Sequence, residues 1–251
     1  MARKLVSLLT NRIAWRLALE TAIFAGLLSW SAKTEPIGVA GLFFVAFFLY
    51  LYMKEQPERR RTRILFWFFG LLSVFGVHEL VVQFPEQNWI GWVIGGLSLY
   101  FFFLIGVTSF FIKKREFVYL LLNTFAIFLV STWAFGAGGE DLYFFPALFL
   151  LCGITLLIRD ALGFFDAGGR RRAWILSAVF GLVVIELGFF LRFLPLGFLN
   201  SSAFVTLTLF LLRDAVLAHF RGKLDLPVLF RELVFFVGIA IVIFAGSRWV
   251  I

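Results

Sequence analysis

The sequence predicts an all-α fold, a polytopic transmembrane helical bundle of about nine spans, on three observations. Of 251 residues, 62% are hydrophobic and 20% aromatic, with a mean hydropathy of +0.98. Soluble domains run at about 45–50% apolar, so this chain lacks the polar surface that a water-soluble fold needs. Its apolar runs repeatedly reach the roughly 20 residues that cross a hydrocarbon core. Its basic residues collect on alternate connections, the pattern that orients helices in a cytoplasmic membrane. A transmembrane β-barrel would show segments of about 10 residues alternating apolar and polar, whereas "LYFFFLIGVTSFFI" is apolar on every face.

The first span is read over 13–32, behind Arg3, Lys4 and Arg12. It contains Arg16 and Glu20, an i,i+4 pair placed to neutralise itself on one helix face. "SWS" at Ser29–Ser31 has the spacing of a signal-peptide cleavage site. Arg16 and Glu20 interrupt the hydrophobic region such a peptide requires, so the span is read as retained. The second span, 37–53, follows Pro36 and leads into a basic loop with Lys54, Arg59, Arg60, Arg61 and Arg63. The third, 64–84, holds "VFGVHELVVQF" with His78, Glu79 and Gln83. The fourth, 89–112, carries Gly91, Gly95 and Gly96, a GxxxG pattern expected at a close helix contact, and ends at Lys113, Lys114 and Arg115. The fifth is 117–137, and the sixth is 142–158. Arg159, Arg170, Arg171 and Arg172 follow the sixth span. The seventh is 173–193 with Glu186, the eighth 199–218, and the ninth 228–248. Arg213, Arg221, Lys223 and Arg231 are assigned to the connection between the last two. The opposite side has Lys33, Arg192 and Arg248.

This asymmetry predicts a cytoplasmic amino terminus, an outside carboxyl terminus and residence in the cytoplasmic (inner) membrane. The net charge of +8 is absorbed by orientation and gives no reason to expect a nucleic-acid partner.

Residues 1–251 are read as one integral membrane domain with an internal duplication. Arg61, Ile64, Leu65, Phe69, Gly70 and Leu71 match Arg172, Ile175, Leu176, Phe180, Gly181 and Leu182 at a constant offset of 111. The implied units are 36–137 and 142–248, with the helix at 13–32 as an extra. An even number of spans per unit makes the repeat parallel, with its axis along the membrane normal. A shorter echo pairs "LLIRDAL" at 156–162 with "LLRDAV" at 211–216.

Ionisable residues within spans carry the functional reading, because each costs a few kcal/mol to insert. Glu79 lies on a polar stripe with Gln83 and Glu86 running to the outer mouth, while His78 falls on an apolar face of the same helix. Glu186 sits in the equivalent span of the second unit. Two carboxylates from equivalent helices resemble a site at a repeat interface. Glu79, Glu186, Gln83 and His78 are therefore the substrate- or ion-binding candidates. Arg59, Arg60, Arg61, Arg170, Arg171 and Arg172 are the candidates for contact with lipid headgroups or a partner. Cys152, the only cysteine, excludes a disulfide framework and is expected as a small buried residue. His78 and His219 lie at opposite depths and cannot hold one haem between them. Asp160 and Asp166 are a poor approximation to a divalent-cation site. No catalytic, metal or cofactor set is expected.

Three function classes remain. The first is a small-solute or ion transporter, or a membrane subunit of a transport system, using protonatable carboxylates. The second is a non-catalytic scaffold that docks partners through its basic loops. The third, with the weakest residue support, is an enzyme acting on a lipid-linked substrate. The expected partners are the lipid bilayer and a further membrane protein or a second copy of the chain.

Overall fold

The computed structural model of the chain describes residues 12–33, 39–54, 69–70, 73–74, 77, 90–108, 115–136, 144–165, 169–194 and 196–247. Eight helices form among them: α1 (Arg12–Lys33), α2 (Val39–Lys54), α3 (Ile90–Thr108), α4 (Arg115–Gly136), α5 (Phe144–Phe164), α6 (Gly169–Leu191), α7 (Phe198–Phe220) and α8 (Leu226–Ala245). No strand occurs among the described residues. Helices are what such apolar runs must form, since a span satisfies its backbone groups internally only as a helix or in a closed barrel. Four of them, α4 to α7, are long and apolar enough to cross a membrane. At 23 residues, α6 and α7 each measure about 34 Å.

Most boundaries fall within a few residues of those expected. The exception is α5, which runs on through Arg159 and Asp160 to Phe164. The expected span 142–158 stops short of these two charges. The chain divides into two compact units, Met1–Leu122 and Asn123–Ile251, with the boundary inside α4.

The first unit is built on aromatic packing. Phe24 of α1 is fully buried, and its ring lies 4.2 Å from Phe101 of α3, 5.6 Å from Phe44 of α2 and 5.9 Å from Phe69. Phe69 in turn meets Tyr100 at 4.1 Å. The Tyr100 hydroxyl donates to the Leu122 carbonyl at 2.8 Å, tying α3 to α4. On α1, Arg16 Nε and Glu20 Oε1 lie 2.8 Å apart, the expected i,i+4 pair.

The second unit is organised around the close approach of α5 and α6. Ala173, Ser177 and Gly181 put small residues at i, i+4 and i+8 on the buried face of α6. A side chain at Gly181 would come within 2.9 Å of Leu151 Cδ1 and 3.2 Å of its carbonyl oxygen, and would collide with Thr155. Small residues let membrane helices approach this closely and gain dispersion contacts that lipid does not match. The glycines expected to do this, Gly91, Gly95 and Gly96 on α3, are exposed, and added methyl groups there would meet nothing within 4 Å among the described residues. Cys152, expected buried, is exposed on α5. α8 lies against α7 through Phe204, whose ring is 5.9 Å from Phe236 and 5.4 Å from Phe244. Asn200 Nδ2 donates to Ser247 Oγ at 3.3 Å at the far end of the same pair.

Candidate functional site

The most unusual side chain in the second unit is Arg213, which is fully buried on α7. Its Nη1 donates to Asn123 Oδ1 at 2.9 Å and to Thr124 Oγ1 at 3.0 Å, both on α4. Its Nε donates to Asp214 Oδ1 at 3.1 Å, and Nη2 lies 3.0 Å from the same oxygen. The guanidinium carbon sits 5.4 Å from the Phe210 ring centroid, one turn back. Asn123 is itself fully buried. Having accepted from Arg213, it donates through Nδ2 to the Leu157 carbonyl of α5 at 3.0 Å. One hydrogen-bonded chain thus joins α4, α5 and α7.

The depth of this centre follows from helix rise. Arg213 lies about 10 Å along α7 from its end at Phe220, and Asn123 about 12 Å along α4 from its start at Arg115. Both distances put the charge well inside a span. An arginine there costs roughly 2.5–3.5 kcal/mol on insertion scales. Charge-assisted bonds to Asn123, Thr124 and Asp214 offset that cost. Asp160 on α5, one turn beyond Leu157, is buried as well. The two Arg-Asp echoes are therefore opposite in burial. On α5 the acid is inside, and the Arg159 guanidinium carbon lies over the Trp174 ring at 4.1 Å. On α7 the base is inside, and the Asp214 side chain is 26% exposed.

Sequence reasoning missed this centre because Arg213 was assigned to a connection, although it lies five residues inside the expected span 199–218. Asn123, a polar residue in an apolar run, was the accompanying signal.

The expected site residues are not brought together among the described residues. His78, Glu79 and Gln83 lie outside them, as do Arg59, Arg60 and Arg61. Glu186 is exposed on α6, on the face opposite Ser177, Gly181, Val184 and Gly188. Among the described residues it is the charged side chain in an outward apolar stripe of Val179, Leu182, Phe189, Phe190 and Phe193. Arg170, Arg171 and Arg172 are exposed at the start of α6. Asp166, weighed with Asp160 for a cation, lies outside the described residues, and no group of three metal-ligating side chains occurs among those described. Between α7 and α8 runs a groove of about 550 Å³ lined by apolar side chains, among them Phe204, Val237 and Ile241.

The centre can hold three helices in register, and two of its members, Thr124 and Asp214, are partly exposed. Compared with protein-family models, with curated proteins and with solved structures, the chain gives no match. Its assignment therefore rests on its own chemistry, that of a helical protein with four helices able to cross a membrane.

Proposed function

We propose that this chain is a non-catalytic membrane subunit that docks a partner helix against the outer face of α6. The observation that carries this reading is Glu186, a carboxylate set in an exposed apolar stripe of α6. A carboxylate facing lipid is costly, and polar side chains at membrane helix faces serve as glue to a partner that can donate to them. A symmetric dimer on this face would bring two like carboxylates together, so the fitting occupant is a different helix carrying a basic or hydroxyl donor. The proposal retains about nine spans, a cytoplasmic amino terminus and two related units. Phe69–Gly70 and Phe180–Gly181 support the relation. All four residues are buried, and each glycine faces a side chain of an earlier helix, Phe48 in one case and Leu151 with Thr155 in the other.

Site-specific photocrosslinking in intact cells tests the docking. With p-benzoyl-phenylalanine at Leu182 or Phe189, the expected result is a discrete adduct to another chain that Glu186→Leu abolishes. Adducts within the same chain, or adducts indifferent to Glu186, would overturn the reading.

A small-solute or ion carrier is the second reading, favoured by the buried Arg213 centre. Flux into proteoliposomes that Arg213→Lys abolishes, with the fold intact, would place transport first.

A further inference from the structure

A second groove, of about 610 Å³, opens between the first two turns of α6 and the last three turns of α7. Its lining is apolar along Ile175, Leu176, Leu212 and Val216, and includes the exposed Arg172 and His219. The end of α7 fixes the rest of the lining. Gly222 adopts φ +65°, and Lys223 N donates to the Ala218 carbonyl at 2.9 Å. This left-handed glycine cap turns the chain sharply, leaving Arg221, Lys223 and the groove-lining Leu224 beside the helix end. Arg170 and Arg171 are exposed at the start of α6, at the same end of this helix pair. Two guanidinium groups at this end lie over aromatic rings, Arg159 over Trp174 at 4.1 Å and Arg221 over Phe165 at 4.7 Å. Arginine and aromatic side chains clustered at one end of a membrane helix pair mark the level of the headgroups. The acids nearest in sequence to His219 are Asp214, already bonded to Arg213, and the exposed Asp225; Asp166, six residues before Arg172, lies outside the described residues.

We propose that this groove binds an anionic phospholipid of the surrounding leaflet, with its phosphate between Arg172 and His219 and one acyl chain along Ile175, Leu176, Leu212 and Val216. The complementarity is amphipathic. An apolar trough closed at one end by cations fits a molecule that is anionic at one end and hydrocarbon along the rest. Basic pockets between membrane helices on the cytoplasmic side take such headgroups. The inference rests on the membrane placement of α6 and α7 and is independent of any partner at Glu186.

The test is native mass spectrometry of the full chain released from detergent micelles holding equal amounts of phosphatidylglycerol and phosphatidylcholine. Wild type is expected to retain phosphatidylglycerol in preference. Arg172→Gln should cut that preference about fivefold, the equivalent of about 1 kcal/mol per basic group, whereas Arg172→Lys should keep most of it. Ala215→Phe, which fills the trough, should remove both lipids' adducts while circular dichroism stays unchanged. Arg192→Gln, at the other end of α6, should change nothing. Equal retention of the two lipids by wild type overturns the proposal. So does a preference that survives Arg172→Gln combined with His219→Gln, or phosphatidylglycerol adducts that persist in Ala215→Phe. Displacement of phosphatidylglycerol by millimolar inorganic phosphate would assign the cations to a free anion and overturn it too.

Discussion

Arg213 and Glu186 show how differently a charge can be kept in an apolar helix. Arg213 is bonded by Asn123, Thr124 and Asp214, so its removal strands the fully buried Asn123 oxygen and takes the cation from beside Asp214. Breaking a buried charged network by deleting one member costs about 3–5 kcal/mol, and Arg213→Ala is expected to lose that much in reversible unfolding in micelles. Arg213→Lys should recover only part of it, because one ammonium cannot reproduce a planar fork that reaches α4 and Asp214 together. Asn123→Ala should cost about 1–3 kcal/mol by orphaning one buried Arg213 donor and removing the bond from α4 to the Leu157 carbonyl, which keeps its own helical partner. A loss below about 0.5 kcal/mol for Arg213→Ala would show that the network holds nothing together. Glu186 faces outward, so Glu186→Gln should leave the stability of the purified chain unchanged or raised. Its effect belongs to the partner.

At the scale of elements, apolar content cannot choose which helices pair, because lipid tails are as apolar as the side chains they would replace. Close approach and polar bonds decide instead. α5 and α6 meet where Gly181 leaves room for Leu151 and Thr155. Gly181→Val should therefore lower the melting temperature in detergent and cost about 1–3 kcal/mol through overpacking. Gly95→Val on the exposed face of α3 should stay within about 0.5 kcal/mol of wild type. The reverse order of effects would mean that α3, not α6, provides the close contact. α8 presents a broad exposed apolar surface, including Leu226, Phe230, Ile241 and Val242, which suits a helix held by α7 on one side and solvated by lipid on the others.

For the whole molecule, the distribution of basic residues makes one further prediction. Single cysteines placed at Arg59 and Arg171 in a Cys152→Ser background should be labelled by an impermeant maleimide only from the cytoplasmic side. A cysteine at Asn88 should be labelled only from outside. Labelling of Arg59 and Arg171 from opposite sides would break the proposed parallel relation between the two units, because an odd number of spans would then separate them.

Helix class and most helix boundaries were legible in the sequence because membrane spanning is a constraint on composition and length, and both are printed in every run of about 20 apolar residues. The Arg16–Glu20 pair was equally legible, since i,i+4 spacing along one helix is local geometry. The Arg213 centre was not. Its partners on α4 are 90 and 89 residues away, and nothing in "LLRDAV" distinguishes an arginine that reaches water from one that turns into the bundle. The same limit applied to the glycines. Gly91, Gly95 and Gly181 are alike in sequence, and only the neighbour opposite each makes one a contact and leaves the others exposed. Sequence by itself determined that this chain forms helices able to cross a membrane, through local hydropathy and backbone hydrogen bonding. Tertiary structure alone decided which charge is locked inside and which stands open, because burial belongs to the faces that other helices cover.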